Sequence, residues 1–372
     1  MAKGREDRQR RLSALLCIFI HRVFFLSLRK QTQRMNLASI NGQVYFTSSM
    51  PDVEIATADP IAVTITCDGS AILQETLWPV AGEVQLTGLG EFLEPYARKQ
   101  LVCTVVFAAG SASASCTVLF AMVDVGEAAS EFYNSRFLTI LEGDKVTALG
   151  RRELLWYYGQ TTASVTREFS DGTTASMNAR SGTSNPHYTC IDASPDWYTA
   201  EGKTLVAYTV QAGNRTQRYV IDQNQPDCAP ILEFYNSFGV WEQIYCTGTH
   251  KVAPEYQRAS ARFNGRLRNY RIRETRKFEG DTGILNRAMA NWADELFRSD
   301  EVYVLNFIDG AVQSNDAGKE VVITDSKSEV TNDDENLPRF TFTYQYAQRI
   351  HNVLTPGRVN RIFDNTFDFT FN

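Results

Sequence analysis

Four histidines and seven cysteines are the side chains in this 372-residue sequence best suited to nucleophilic or metal chemistry. His187 stands three residues before Cys190 in SNPHYTC, a spacing that suits turn packing better than a Cys–His catalytic couple. His250 in GTHKV and His351 in RIHNV fall beside predicted strand ends, where surface hydrogen bonding is the ordinary role. Cys17, Cys67, Cys103, Cys116, Cys190, Cys228 and Cys246 form no Cys-x-x-Cys pair. A structural zinc site brings its ligands in close pairs, so none is expected. An odd, scattered set suits free buried thiols in a reducing compartment. The acidic run DSKSEVTNDDE, residues 325–335, lacks the Asp-x-Asp-x-Asp-Gly spacing of a calcium loop and reads as a solvated loop. Neither Gly-x-Ser-x-Gly, nor a phosphate-cradling glycine loop, nor His-Glu-x-x-His occurs. No catalytic residue, cofactor or metal is therefore predicted, although carboxylates converging from distant loops would leave no local motif.

Charge is more informative. Residues 1–34 hold nine Lys/Arg and two Asp/Glu, so the rest carries 28 against 41, or −13. Within that acidic body lies RASARFNGRLRNYRIRETRK, residues 258–277, with seven arginines and Lys277 against the single Glu274. Interleaved with Phe263 and Tyr270, such a run would suit a nucleic-acid backbone. The other reading is a strand whose basic face meets acidic protein, in this chain or a neighbour. The acidic body weighs toward protein, because opposed potentials set register between subunits while a body of −13 is a poor general binder of phosphate. Arg266, Arg268, Arg271 and Arg273 are the interface candidates.

The elements that must position these residues are mostly strands, and the predicted fold is mainly β and multi-domain. Residues 35–125 carry QVYF, IAVTITC, EVQLTG, QLVCTVVFA and SCTVLFAMV between turn-prone stretches, the pattern of a β-sandwich. Cys67, Trp78 and Cys103 follow one another like the immunoglobulin Cys…Trp…Cys pattern, but Leu101 stands where a tyrosine belongs, so packed thiols are preferred to a disulfide. Residues 126–229 read as a second sandwich-like domain, with Arg152–Tyr158 open between strand and helix turn. Residues 230–354 read as α+β, one amphipathic helix on an antiparallel sheet. There Asp281-Thr282 is the expected N-cap, with Leu285, Ala288, Trp292 and Leu296 as the apolar stripe. Phe340, Phe342, Tyr344 and Tyr346 alternate along the last strand.

Two ends stand apart. Residues 1–34 combine a basic start with apolar runs at 12–20 and 23–28, each too short to span a membrane. They read as a non-native extension before Met35, a degenerate export signal, or a basic amphipathic helix; membrane contact is expected only if residues 12–28 are native. At the other end, 355–372 closes on FDNTFDFTFN, in which Phe363, Phe367, Phe369 and Phe371 mark an aromatic strand. Such a strand needs a partner, another subunit or the third domain's own sheet.

The series YNSFGVWEQIYCTG, the arginine-bearing strands, GILNRAMANWADELFRSDEVYVL and VVITDSKSEVTNDDENLPRFTFTYQYAQRIHNV resembles structural proteins of bacteriophage tails and prophage tail-like elements, of the tail-tip or baseplate kind. The likeness covers mainly residues 230–372. It implies a non-enzymatic virion component assembled in the host cytoplasm, with other tail proteins and copies of itself as partners; the acidic body adds that no nucleic acid is expected. A secreted or cell-surface β-sandwich that binds glycan or a protein partner is the alternative expectation, with residues 1–28 as its signal.

Overall fold

The computed structural model describes residues 34–305, 318–330 and 337–347. Residues 1–33, His351, residues 331–336 of the acidic run and the strand bearing Phe363, Phe367, Phe369 and Phe371 lie outside the described residues. The chain is mainly β, and the described residues form five sheets.

The first unit contains β1 (Arg34–Asn36), β2 (Val44–Phe46), β3 (Asp52–Ala56), β4 (Ile61–Cys67), β5 (Ser70–Leu77), β6 (Glu83–Leu86), β7 (Val102–Ala109) and β8 (Ala112–Leu119). One sheet runs β2-β8-β7-β4-β5 and the other β1-β3-β6. Alternation decides which side chains meet. Val63, Ile65 and Cys67 of β4 point inward while Thr64 and Thr66 between them stay half-exposed. Val53, Ile55, Val84 and Leu86 of the smaller sheet close onto Val105, Phe107 and Val118 of the larger, which makes a sandwich. Each such side chain contributes about 1.5–3 kcal/mol by leaving water.

Two features differ from the sequence reading of this unit. A helix, α1 (Leu89–Gln100), stands where only strands were expected, and it buries Leu89, Leu93 and Ala97 at four-residue intervals. Cys67 and Cys103 lie on β4 and β7, neighbours in one sheet, whereas the immunoglobulin bridge joins two sheets. Trp78 is 75% exposed, so it is no core tryptophan. The six described cysteines are buried free thiols, and burial pushes the Cys116 thiol up to about 12.

The second unit contains β9 (Lys145–Thr147), β10 (Leu154–Tyr158), β11 (Ala163–Phe169), β12 (Thr174–Asn178), β13 (Arg180–Ser184), β14 (Tyr188–Asp192), β15 (Leu205–Ala212) and β16 (Arg215–Ile221). Its sheets run β10-β14-β13 and β12-β11-β15-β16-β9, and Leu155, Tyr157 and Ile191 face Val165, Tyr208 and Tyr219 across the sandwich. Residues 154–158, open between two conformations in the sequence, are strand.

In the third unit β17 (Ile231–Tyr235), β18 (Trp241–Tyr245), β19 (Lys251–Phe263), β20 (Arg266–Asp281), β21 (Val302–Val304), β22 (Lys319–Lys327) and β23 (Thr341–Tyr346) form one sheet, ordered β18-β17-β21-β22-β23-β20-β19. Every pairing in it is antiparallel. Phe340, Phe342 and Tyr344 are buried, as their alternation predicts. The helical segment is α3 (Arg287–Ala293) followed by α4 (Glu295–Arg298), and it buries Trp292 and Leu296 against the sheet. Its start corrects the expectation. Asn286 is the N-cap, its side chain accepting from Met289 N–H at 2.7 Å, because Asp281 still belongs to β20.

The three units share a junction. Phe46 of β2, Phe132 of α2 (Ala129–Ser135) and Phe238 of the β17–β18 turn form a triangle, with centroids 5.6, 5.1 and 5.8 Å apart. One ring comes from the first unit, one from the helix leading into the second, and one from the third.

Candidate interaction surface

The candidate arginines fall on a hairpin arm. Strands β19 and β20 pair over their whole length, but β23 joins β20 only from Lys277 to Asp281. From Lys277 out to Arg266, at roughly 3.3 Å per residue, the arm reaches about 35 Å past that last shared rung. Asn264 and Gly265 turn the tip with φ of 48° and 74°, the left-handed pair of a two-residue hairpin whose twist matches its strands. Pro254 is tolerated in β19 because that strand is the sheet's edge.

The register gives the arm two unlike faces. Cross-strand partners share a face, and β19 runs without interruption, so its odd-numbered residues mark one side. Gln257, Ala259, Ala261 and Phe263 oppose Arg273, Arg271, Arg268 and Arg266. All four candidate arginines therefore lie on one face. This requires a bulge, because Arg268 and Arg271 are an odd number of residues apart. The ladder shifts between Ala259 and Ser260, leaving Tyr270 unmatched and restoring the phase.

The opposite face continues the core side of the sheet. Buried Phe278 opposes Val252, and beyond it Tyr256, Ile272 and Leu267 carry apolar surface into solvent, with Ile272 57% and Leu267 68% exposed. Arg258 and Arg262 share that side, the Arg258 guanidinium 4.9 Å from the Tyr256 ring.

Charge is balanced near the base and unbalanced outward. Lys251 pairs with Glu279 at 3.2 Å, Lys277 with Glu255 at 2.8 Å and Arg276 with Glu274 at 3.1 Å. Residues 256–273 hold six arginines and no Asp or Glu, and none of the six forms an ion pair with a described residue.

The inner end of β20, four residues inside the sheet from the last rung before the arm, is clamped. Arg339 Nε lies 2.8 and 2.7 Å from the two carboxylate oxygens of Asp281, and its Nη2 lies 2.5 Å from Oδ2. Gly283 N–H donates to the same carboxylate at 2.8 Å. A side chain at Gly248 would collide with it, a Cβ there falling 2.3 Å from Oδ1.

Behind the arm, a buried polar seam joins the second and third units. Lys145 Nζ donates to Glu153 Oε2 at 2.7 Å and to the Gln243 carbonyl at 3.3 Å, and it sits 4.3 Å from the Trp292 ring centre. Trp292 Nε1 donates to Glu242 Oε2 at 2.7 Å. Removing one partner from a buried ion pair typically costs about 3–5 kcal/mol, so this seam holds the units in one orientation. Burial raises the Glu242 carboxyl above its usual range despite the nearby Lys145. These groups are sealed from solvent and have no room for a substrate.

The remaining sequence candidates are dispersed. His187 lies in an exposed turn whose N–H donates to Asn185 Oδ1 at 2.9 Å. His250 is held more deeply than a surface role implies: Nε2 is 2.9 Å from the Tyr344 hydroxyl, the ring stacks near Phe278, and burial lowers its pKa. Among the described residues, no cluster of three or more His, Cys, Asp or Glu could hold a metal ion. A cleft of about 520 Å³ opens between the first and third units, crossed by the Arg98–Asp300 ion pair at 2.7 Å. Among the described residues no helix is long and apolar enough to cross a membrane.

No protein-family model and no curated protein matches the chain. Among solved structures, a titin immunoglobulin tandem, A164-A165, is 14% identical, covers 52% of this chain and 95% of its own, and has a TM-score of 0.20. A three-domain titin structure, I67-I69, is 12% identical over 64% of this chain and 90% of its own, with a TM-score of 0.18. Likenesses at this level carry no functional argument.

Proposed function

We propose that this chain is a non-enzymatic structural component of a phage tail or tail-like particle, acting by assembly with copies of itself and with other tail proteins. The observation that supports the reading is the arm: a clamped two-stranded projection about 35 Å long, carrying six uncompensated arginines and exposed apolar side chains. A lone protein gains nothing from holding such a surface in water, whereas a neighbour that covers it gains apolar burial and charge pairing together. The three-unit platform, fixed at its aromatic junction and polar seam, gives the arm a defined direction. Electron microscopy of the purified chain tests the proposal. Discrete rings or stacked particles are the expected result, and dispersed monomers at high concentration contradict it.

The secreted β-sandwich reading has its own supporting observation, the exposed Trp78 and Val80 on the first unit. Mass spectrometry of the native N-terminus separates the two, because cleavage after the apolar run favours export.

A further inference from the structure

We infer that the arginine row of the arm docks on the acidic first unit of a second copy of this chain, in a head-to-tail contact. The inference rests on the assembly reading and names the surfaces that would meet. Residues 35–125 contain nine Asp/Glu and two Lys/Arg, a net charge of −7 with the two bases adjacent at Arg98 and Lys99. Arg98 pairs with Asp300 of the third unit, and Arg34 of β1 pairs with Glu54 at 3.3 Å, which leaves Glu75, Glu83 and Glu91 without an ion pair to a described residue of the first unit. Glu75 and Glu91 are exposed, and Glu54 and Glu83 half-exposed on the smaller sheet. The distal arm, residues 256–273, carries +6.

The two surfaces do not meet within one chain. The described ladder of the arm runs between its own strands and to β23, and no described ion pair links arm and first unit. Because donor and acceptor surfaces differ, the contact is heterologous and repeats from copy to copy, closing a ring or extending a filament. Nucleic acid is the weaker occupant, since the acidic body repels phosphate as the arm attracts it.

The full-length chain is tested by sedimentation velocity at low and high salt. One variant carries Arg266, Arg268, Arg271 and Arg273→Glu, the other Glu54, Glu75, Glu83 and Glu91→Lys; circular dichroism checks that each folds. Each variant alone is expected to self-associate at least about tenfold more weakly, since like charges then face each other. An equimolar mixture is expected to recover the parent's oligomer, because each reversed arm finds a reversed first unit. A parent that stays monomeric overturns the assembly reading and this inference together. A parent that self-associates while the variants keep its affinity overturns the arm contact alone. So does tight binding of a labelled single-stranded oligonucleotide that the arm variant loses while its self-association is unchanged.

Discussion

Arg339 holds both oxygens of the Asp281 carboxylate, with Nε 2.8 and 2.7 Å from them, at the inner end of the strand that carries the arm. Charge-assisted, two-pronged pairs of this kind fix direction as well as adding energy. The Asp281→Ala variant is expected to lower the melting temperature and to speed hydrogen exchange at both roots of the arm, residues 251–256 and 274–281. Exchange there at the parent's rate would show that the clamp does not orient the arm.

Phe132 bridges Phe46 and Phe238, so its removal opens a cavity shared by all three units. Truncating a buried phenylalanine costs about 3–5 kcal/mol. Phe132→Ala should lose about that much stability in urea denaturation, and proteases should cut the connection at residues 122–128. Phe132→Leu should lose less, because it leaves a smaller void.

Glu295 gives the protein a dependence on pH. Burial, and next the neighbouring Glu242 carboxylate, raises its pKa from an ordinary 4.5 to about 7, against hydrogen bonding from Ser237. Its Oε2 is buried without a hydrogen-bond partner, consistent with a carboxyl that resists ionising. Between those two values the folded chain holds the proton more tightly than the unfolded chain. Stability therefore falls as pH rises from about 4.5 through 7, by up to about 3 kcal/mol from this group. Stability measured at pH 5 and pH 8 should fall more steeply in the parent than in Glu295→Gln. Equal slopes would contradict the assignment.

What the sequence reveals depends on whether a pattern is local. The alternation of Phe340, Phe342 and Tyr344 predicts a buried strand face, which is present; of the predicted helical stripe Leu285, Ala288, Trp292 and Leu296, Trp292 and Leu296 are buried on the helical segment, Ala288 is half-buried and Leu285 is buried just before the helix. The helix start is misread because Asp281 has the side chain of an N-cap but is committed to β20 and Arg339, while Asn286 supplies the cap. Helix α1 is obscured by Pro95 and by a polar face, although Leu89, Leu93 and Ala97 keep helical spacing. The single arginine face expected of residues 266–273 needs more than strict alternation to form. Arg266 and Arg268 alternate in one phase and Arg271 and Arg273 in the other, so strict alternation splits them, and the unpaired Tyr270 reunites them. The polar seam joins residues about a hundred positions apart, such as Lys145 and Gln243, and leaves no local trace.

That unpaired tyrosine provides the most direct test of whether the aligned arginine face drives assembly. Inserting one alanine between Ala259 and Ser260 keeps every charge but gives Tyr270 a cross-strand partner, removes the bulge and turns Arg266 and Arg268 to the opposite side of the arm, whereas deleting Tyr270 leaves the four arginines in strict alternation on one face. Light scattering on the two variants and the parent should find oligomers for the parent and the Tyr270 deletion, and monomers for the insertion. An insertion variant that assembles as fully as the parent would contradict the account.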